Sequence, residues 1–578
     1  MSTIYRYLCV LVLSLVCAVA AAQDLDPTVV VDRAYEGKLV EFHKPVLEMS
    51  VPDSVMRFDL DFDYSVFENP YKGSYEFNPY LLSMKPSLAS DAAGKFYLRA
   101  GAGYQLRPEL DLVWTPKMKN EGLRLDVYAR HRSYFGEYQR MTAEISDGAS
   151  LPYMVDDVAE VSNGGFMSSK AGLAIGYDWE KTSLGFNAGY YGLHRFLSGD
   201  PMLNYNAVNA DFSVGTRAGY GDGLVYDVDA SYRHASDNGI NENNLEADVV
   251  FATPIKKGGR FALDLGFGLD GYSGVLVGNA SVVSVTPRYI YRKGILDADL
   301  GLKISKVIVD TTSRLFIHDA KEQIVYPDVT VRLALVRDAL SFFVKAGGGN
   351  KICSYADLLE RNMFMDIRNS RRLSQVGVNF GTDMGVEVER VSAKAGFEGR
   401  FGSHFSWNLH AGYADHASAI LDSAYPVYGK YGVDYVPYKT WNGTFEWLWK
   451  SDRFMADGTV TYRNVWGGVF GSDRYWPAQV IGGVFRPASV TGDVSFEYNY
   501  NRRIFAGINC AFSTSRECED GLFVIPGYAD LGVSAEYVTS GSLSFWLRGG
   551  NLLGMSIQRN PLFAVKGPYF TLGICLKL

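Results

Sequence analysis

The stretch that decides the fold is Thr571-Leu572-Gly573-Ile574-Cys575-Leu576-Lys577-Leu578. With Phe570 before it, Leu572, Ile574, Leu576 and Leu578 fall on one side of an extended chain, and Thr571, Gly573, Cys575 and Lys577 fall on the other. Alternation with a period of two marks a strand that has one greasy face and one polar face. Here it runs to the terminal carboxylate. A strand in that position needs a hydrogen-bonding neighbour on each side, and a sheet closed into a barrel supplies both.

The same pattern recurs upstream. In 261–270, Phe261, Leu263, Leu265, Phe267 and Leu269 alternate with Ala262, Asp264, Gly266, Gly268 and Asp270. Residues 182–191, 295–305 and 542–548 repeat it. A soluble sandwich would also show alternating strands, with a second sheet covering the greasy face. The connections separate the two. Tight turns fall at 179–181, 221–223, 256–259, 292–294, 337–338, 402–403, 450–452, 501–503 and 539–541. Longer connections lie between them, at 134–166, 195–203, 309–325, 349–390, 417–431, 466–487, 515–527 and 550–566. An up-and-down membrane barrel has this asymmetry, with short periplasmic turns and long outer loops. The expected fold is therefore all-β: a transmembrane antiparallel barrel over 94–578 with about 22 strands, in a range of roughly 18–24.

Composition agrees. The chain has 578 residues, a formal charge of -8, 21% charged and 14% aromatic residues, 38 Tyr and 60 Gly. That is too aromatic for disorder and not basic enough for nucleic acid. Past the N-terminus no apolar run reaches about 18 residues, so membrane helices are excluded. The greasy face should meet lipid, because a charge there costs about 2–4 kcal/mol at mid-bilayer. Asp211, Asp264, Asp299, Lys303, Arg332 and Arg548 then face the lumen, paired across strands. Tyr177, Trp179, Tyr289, Tyr291, Trp447 and Trp449 suit the interfacial girdles.

Residues 1–22 have the form of an export signal: Arg6, an apolar run from Leu8 to Val19, and Ala20-Ala21-Ala22 before Gln23. Val16 before Cys17 argues against a lipoprotein site. Cys353, Cys510, Cys518 and Cys575 remain after cleavage and fit no zinc spacing; they read as free or lipid-facing thiols, with a Cys353–Cys518 bridge as the alternative. Residues 23–93 form a separate N-terminal periplasmic or lumenal segment. Within it, Asp59, Asp61 and Asp63 lack the glycine and distal Glu of a calcium loop.

The whole pattern resembles the TonB-dependent receptors of the Bacteroidota. Thr28-Val29-Val30-Val31 resembles a TonB box, which such receptors offer by strand addition. Thr571, Gly573, Leu576 and Leu578 resemble the C-terminal β-signal of outer-membrane proteins, with Leu where the family prefers an aromatic. The resemblance implies outer-membrane lipid around the barrel, insertion by the barrel-assembly machinery, and TonB as a partner. The segment before Phe96 is too short for a full plug domain. A barrel of this size would otherwise leave a wide hole, so the N-terminal segment, the loops, an outer-membrane lipoprotein or another partner should occlude it.

No catalytic motif appears, and nothing calls for a cofactor. His404, His410 and His416 share a face by parity but are too far apart along a strand to chelate one ion. The candidate recognition loop carries Trp466, Phe470, Arg474, Tyr475 and Trp476, a composition common at binding patches. Tyr355 to Asn362 reads as a turn or two of helix folded into the lumen. The expected function is transport of a ligand across the outer membrane, TonB-coupled or passive. The alternative is a non-transporting barrel that serves as scaffold or partner in an outer-membrane assembly.

Overall fold

The computed structural model describes the chain from Lys95 to Leu578, apart from residue 121 and the segments 142–158, 198–201, 218–222, 256–258, 311–315, 318–323, 338, 366–383, 426–429, 468–482, 519–523, 540–541, 561–562 and 566. The export signal, the segment 23–93 and Thr28-Val31 lie outside the described residues.

Twenty-two antiparallel strands close into one barrel. Each pairs with the next in sequence, and the ring closes where the last meets the first. Strand Tyr569–Lys577 lies between Leu543–Gly550 on one side and Lys95–Gly103 on the other. The closing register runs from Tyr97 opposite Lys577 to Gly103 opposite Thr571. Leu578 extends it with two backbone bonds of 2.8 Å to Phe96.

The closing seam is held by one aromatic plate. Trp546 is opposite Gly573, which is opposite Gly101. All three point inward, and the indole lies across both glycines. It is almost fully buried. Its Nε1 donates to the Ile574 carbonyl at 3.2 Å, and the Arg99 guanidinium sits 4.1 Å above its ring. A Cβ on Gly573 would meet the Ala100 carbonyl at 2.0 Å and the indole at 2.6 Å. Glycine at 573 is therefore a packing requirement of the seam. Cys575 is buried beside Tyr97 and Trp546 on the lumenal side, which overturns its reading as lipid-facing. All four cysteines are free, so the Cys353–Cys518 bridge is not made.

The outer wall is the expected greasy face. Phe261, Leu265 and Phe267 are 37–43% exposed, as are aliphatic and aromatic residues around the circumference. Tyr177 meets Trp179 edge-on at 5.3 Å, and Tyr289 stacks on Tyr291 at 6.5 Å, at the short-turn end. Inside, charges pair across strands. Arg288 reaches Asp264 at 2.6 Å, Asp328 at 2.9 Å and Asp299 at 3.1 Å. Arg332 pairs with Glu398 at 2.7 Å, and Arg548 with Glu109 at 3.3 Å.

Two features depart from the sequence expectation. The alternation of short and long connections breaks at 104–108, at Asn238-Gly239 and at 275–277, which are tight connections at the long-loop end. Asn238 and Gly239 have φ of 46° and 90°, the two positive values a two-residue hairpin needs. The second is strand length. Leu123–Met141 has 19 residues, Ala159–Asp178 has 20, and Phe405–Tyr425 and Lys430–Lys450 have 21 each. A tilted strand needs about 9–11 to cross the bilayer. So much of 134–166, and 417–425 with 430–431, expected as loop, is strand that projects beyond the membrane.

Gly573→Val is expected to cost about 1–3 kcal/mol by overpacking the seam. Gly268→Ala, where an added Cβ meets nothing within 4 Å, should be nearly neutral. The denaturant midpoint, with folded-form migration on unboiled gels, checks the pair; equal midpoints would remove the role given to the seam.

Candidate functional site: the closed outer mouth

The wall chemistry inverts near the long-loop end. In strand Leu203–Thr216, Val208 and Phe212 point outward and are well exposed, while Asn209 and Asp211 point inward. A few residues earlier the polarity is reversed. Leu203, Tyr205 and Ala207 point inward and are buried, and Asn204 and Asn206 point outward. No bulge intervenes. Outward asparagines belong in water and not in hydrocarbon. The inward apolar residues need a partner inside the barrel, and a crossing segment supplies it.

That segment is Ser354 to Met365. It leaves the strand Leu340–Cys353 and forms the helix Tyr355–Arg361. Ser354 caps it: its Oγ accepts from the Asp357 N–H at 3.1 Å, and the Asp357 carboxylate accepts from the Ser354 N–H at 3.1 Å. This is the reciprocal capping box. Seven residues are too few to hold a helix alone in water, so packing holds it. Leu358, Leu359 and Met365 are buried among Leu193, Leu203, Tyr205, Ile240 and Tyr272 from one part of the wall and Met384, Ile420 and Val433 from another. The helix expected at Tyr355 to Asn362 is present, and it spans the mouth as a strap.

Polar latches fix both ends. At the start, Tyr355 Oη donates to Asp237 Oδ2 at 2.9 Å, and Tyr272 Oη accepts from the Tyr355 N–H at 2.9 Å. Tyr205 meets Tyr355 edge-on at 5.6 Å. Arg233 donates to Ser354 Oγ at 3.0 Å and lies 3.7 Å from Glu242, which also accepts from Tyr205 Oη at 3.1 Å. At the far end, Arg195 donates to the Met363 carbonyl at 3.2 Å, and Phe364 stacks on Phe563 at 4.1 Å. Between them, Asp422 takes Arg361 at 3.2 Å and Arg516 at 2.7 Å. Asp422 is 2% exposed. Removing one partner from such a buried set strands the others' charge.

The sequence candidates fall elsewhere. Trp466 is the last residue of strand Phe454–Trp466. It stacks on Trp441 at 6.3 Å and lies 6.1 Å from Tyr413, in an aromatic group on the outer face. Phe470, Arg474, Tyr475 and Trp476 lie outside the described residues. Thr571 and Gly573 point inward at the seam; Leu576 and Leu578 are on the lipid-facing side. His410 and His416 are buried at separate points of one strand, and His416 packs on Tyr438 at 4.8 Å. Among the described residues no group of metal-ligating side chains converges. Trp546 and the strap's wall partners were not singled out from sequence. The signals were present: a tryptophan on a polar-face position, and the reversed alternation in 203–207.

These features define a class: an integral outer-membrane β-barrel with a short helical segment packed across the inside of its wall near the outer end. No family model matches the sequence, and none of the curated proteins does. Among solved structures, the fold is similar to the siderophore receptor PiuA from Acinetobacter baumannii, at 10% identity and a TM-score of 0.57, over 85% of this chain and 82% of that one. It is similar to the FrpB iron transporter from Neisseria meningitidis, F5-1 variant, at 10% identity and a TM-score of 0.59, over 84% and 83%. It is also similar to the copper transporter OprC, at 11% identity and a TM-score of 0.55, over 84% and 80%. At such identities the likeness is one of fold.

Asp422→Ala is expected to destabilise the strap by about 3–5 kcal/mol, because Arg361 and Arg516 stay buried without their acceptor. Tyr355→Phe, which loses one hydrogen bond, should cost about 1 kcal/mol. Cys353, 5% exposed beside the strap, reports release: maleimide labelling at that residue, followed by mass spectrometry, should be slow in wild type and fast in Asp422→Ala.

Proposed function

We propose that the protein is a receptor-like transporter that carries a ligand across the outer membrane, with the strap as its outer gate. The observation that carries this reading is the strap itself, set inside a wide barrel. Small barrels fill their interior with wall side chains, whereas barrels of about 22 strands enclose a lumen that needs a separate plug. Here a short helix from one connection crosses that lumen, and polar latches hold it at both ends. Such a closure opens without disturbing the wall. The architecture shared with iron, copper and siderophore carriers supports the same reading.

Coupling to TonB is the second part of the proposal, and it rests on Thr28-Val29-Val30-Val31. A receptor of this kind with a reduced plug would leave more of the closing to the strap. A non-transporting scaffold would also keep its mouth closed, so the test must open it. Replacing 354–365 by a flexible Gly/Ser linker should convert a silent barrel in planar bilayers into one with stepwise conductance. If the barrel stays silent and co-purifies with stable partners, the scaffold reading replaces this one. Deleting 23–35 should abolish energised uptake while leaving the folded barrel in the membrane; unchanged uptake would refute the TonB step alone.

A further inference from the structure

The start of the strap rests on two buried carboxyl groups that face one hydroxyl. Glu242 is 1% exposed and Asp270 is 0% exposed. Tyr272 Oη lies 3.2 Å from Glu242 Oε1 and 2.6 Å from Asp270 Oδ2, and it accepts from the Tyr355 N–H at 2.9 Å. A phenol oxygen carries one hydrogen and has two lone pairs. With that one hydrogen it serves only one of the two carboxyls. All three contacts are made together when Asp270 carries a proton: Asp270 donates to Tyr272 Oη, and Tyr272 donates to Glu242. The surrounding charges agree. Tyr205 Oη donates to Glu242 Oε2 at 3.1 Å, and Arg233 is the cation beside the pair, 3.7 Å from Glu242. Asn244 is opposite Asp270 on one side and Ala280 on the other, so no charge enters from either. The strap adds a third carboxylate, Asp357, at the Ser354 cap, and Asp237 holds the Tyr355 hydroxyl. Among the described residues Asp270 Oδ1 has no hydrogen-bond partner. Ionising both members of the pair would therefore leave a buried negative charge without a counterion.

We propose that Asp270 holds a proton while the strap is seated, and that loss of this proton releases the start of the strap. Once ionised, Asp270 takes the Tyr272 hydrogen, Glu242 loses that donor, and two like charges face each other across one phenol. Lifting Tyr355 off Tyr272 lets water reach both. The group lies beyond the hydrocarbon, because His234 and Asn243, on the outer side of the same strands, are hydrogen-bonded to each other at 2.9 Å on an exposed surface. Burial, and then the charge of Glu242, push the Asp270 carboxyl well above the ordinary carboxylate range. Burial raises Glu242 as well, and Arg233 draws it back. Released into water, an aspartate returns to about 4. Between that value and the raised one, the seated strap carries one proton more than the released strap. Seating is therefore strongest in acid and weakens as pH rises through this window. The inference deepens the gate reading above, on which it rests for what the released strap would open, by naming what controls release.

The test uses the purified full-length barrel in detergent and compares wild type with Asp270→Asn, whose amide donates where the protonated carboxyl does and does not ionise. Maleimide labelling of Cys353 is followed in both across a pH series. The ratio of the two rates cancels the pH dependence of the thiol itself. That ratio, wild type over variant, should rise at least about tenfold between about pH 5 and about pH 8, the most one proton allows being tenfold per pH unit. Glu242→Gln, which removes the like charge and leaves Arg233 to Asp270, should show a smaller rise. Infrared spectra at neutral pH should show the carbonyl stretch of a protonated carboxyl in wild type and its loss in Asp270→Asn. Folded-form gel migration confirms each variant. A ratio that does not change with pH overturns the release step, and a wild-type spectrum without the protonated carboxyl overturns the proton site. Both readouts are taken without transport, so a barrel that passes them and carries nothing would sink only the transport reading.

Discussion

Inside hydrocarbon no water is available to pair with a backbone N–H or C=O, so every strand must find partners on both edges. In this chain that condition is met only when Tyr569–Lys577 pairs with Lys95–Gly103. The pairing joins residues at opposite ends of the described chain, so it forms against a large loop-closure cost. Local packing helps it. Glycines 101 and 573 leave a slot across the two strands, and Trp546 fills it from the third. The wide, paired wall follows from that closure, and everything inside the lumen takes its position from the wall.

The outer ends of the strands obey a different condition. Past the bilayer the outward face meets water, so Asn204 and Asn206 are tolerated there, and the inward face is free to become the greasy one. Leu203, Tyr205 and Ala207 then build an apolar socket for the strap. One continuous strand thus carries both solvent arrangements, and the register is unchanged across the switch. The lumen is also divided electrically. Carboxylates crowd the wall around Arg288, while arginines gather near the seam.

The lipid-facing wall was legible because its period-two pattern holds in the membrane-crossing stretches; 261–270 and 570–578 alone give the face and the direction of closure. Strand number followed from the spacing of the tight turns. Strand ends were less legible. Alternation fades outside the membrane, and 417–431 resembles loop until its partner is known. The Asn238-Gly239 hairpin had a clear local signal, but the expectation of long outer loops overrode it. The strap was half legible. Ser354 and Asp357 mark a helix start, and Tyr355, Leu358 and Leu359 mark a buried face. What that face meets lies far away in sequence, 83 residues from Tyr355 at Tyr272 and further still at Tyr205, and no local pattern records it. From sequence alone Trp546 is one more polar-face residue, because its role needs both neighbouring glycines in register.

The helix that seals the mouth is only two turns long, and that shortness has a kinetic consequence. Lifted out of its socket, so brief a helix has too few internal bonds to persist, and it melts. Reseating it then means nucleating it again against the wall. Melting and renucleation are both cooperative, so the segment should leave and rejoin its socket in discrete steps and not by graded loosening.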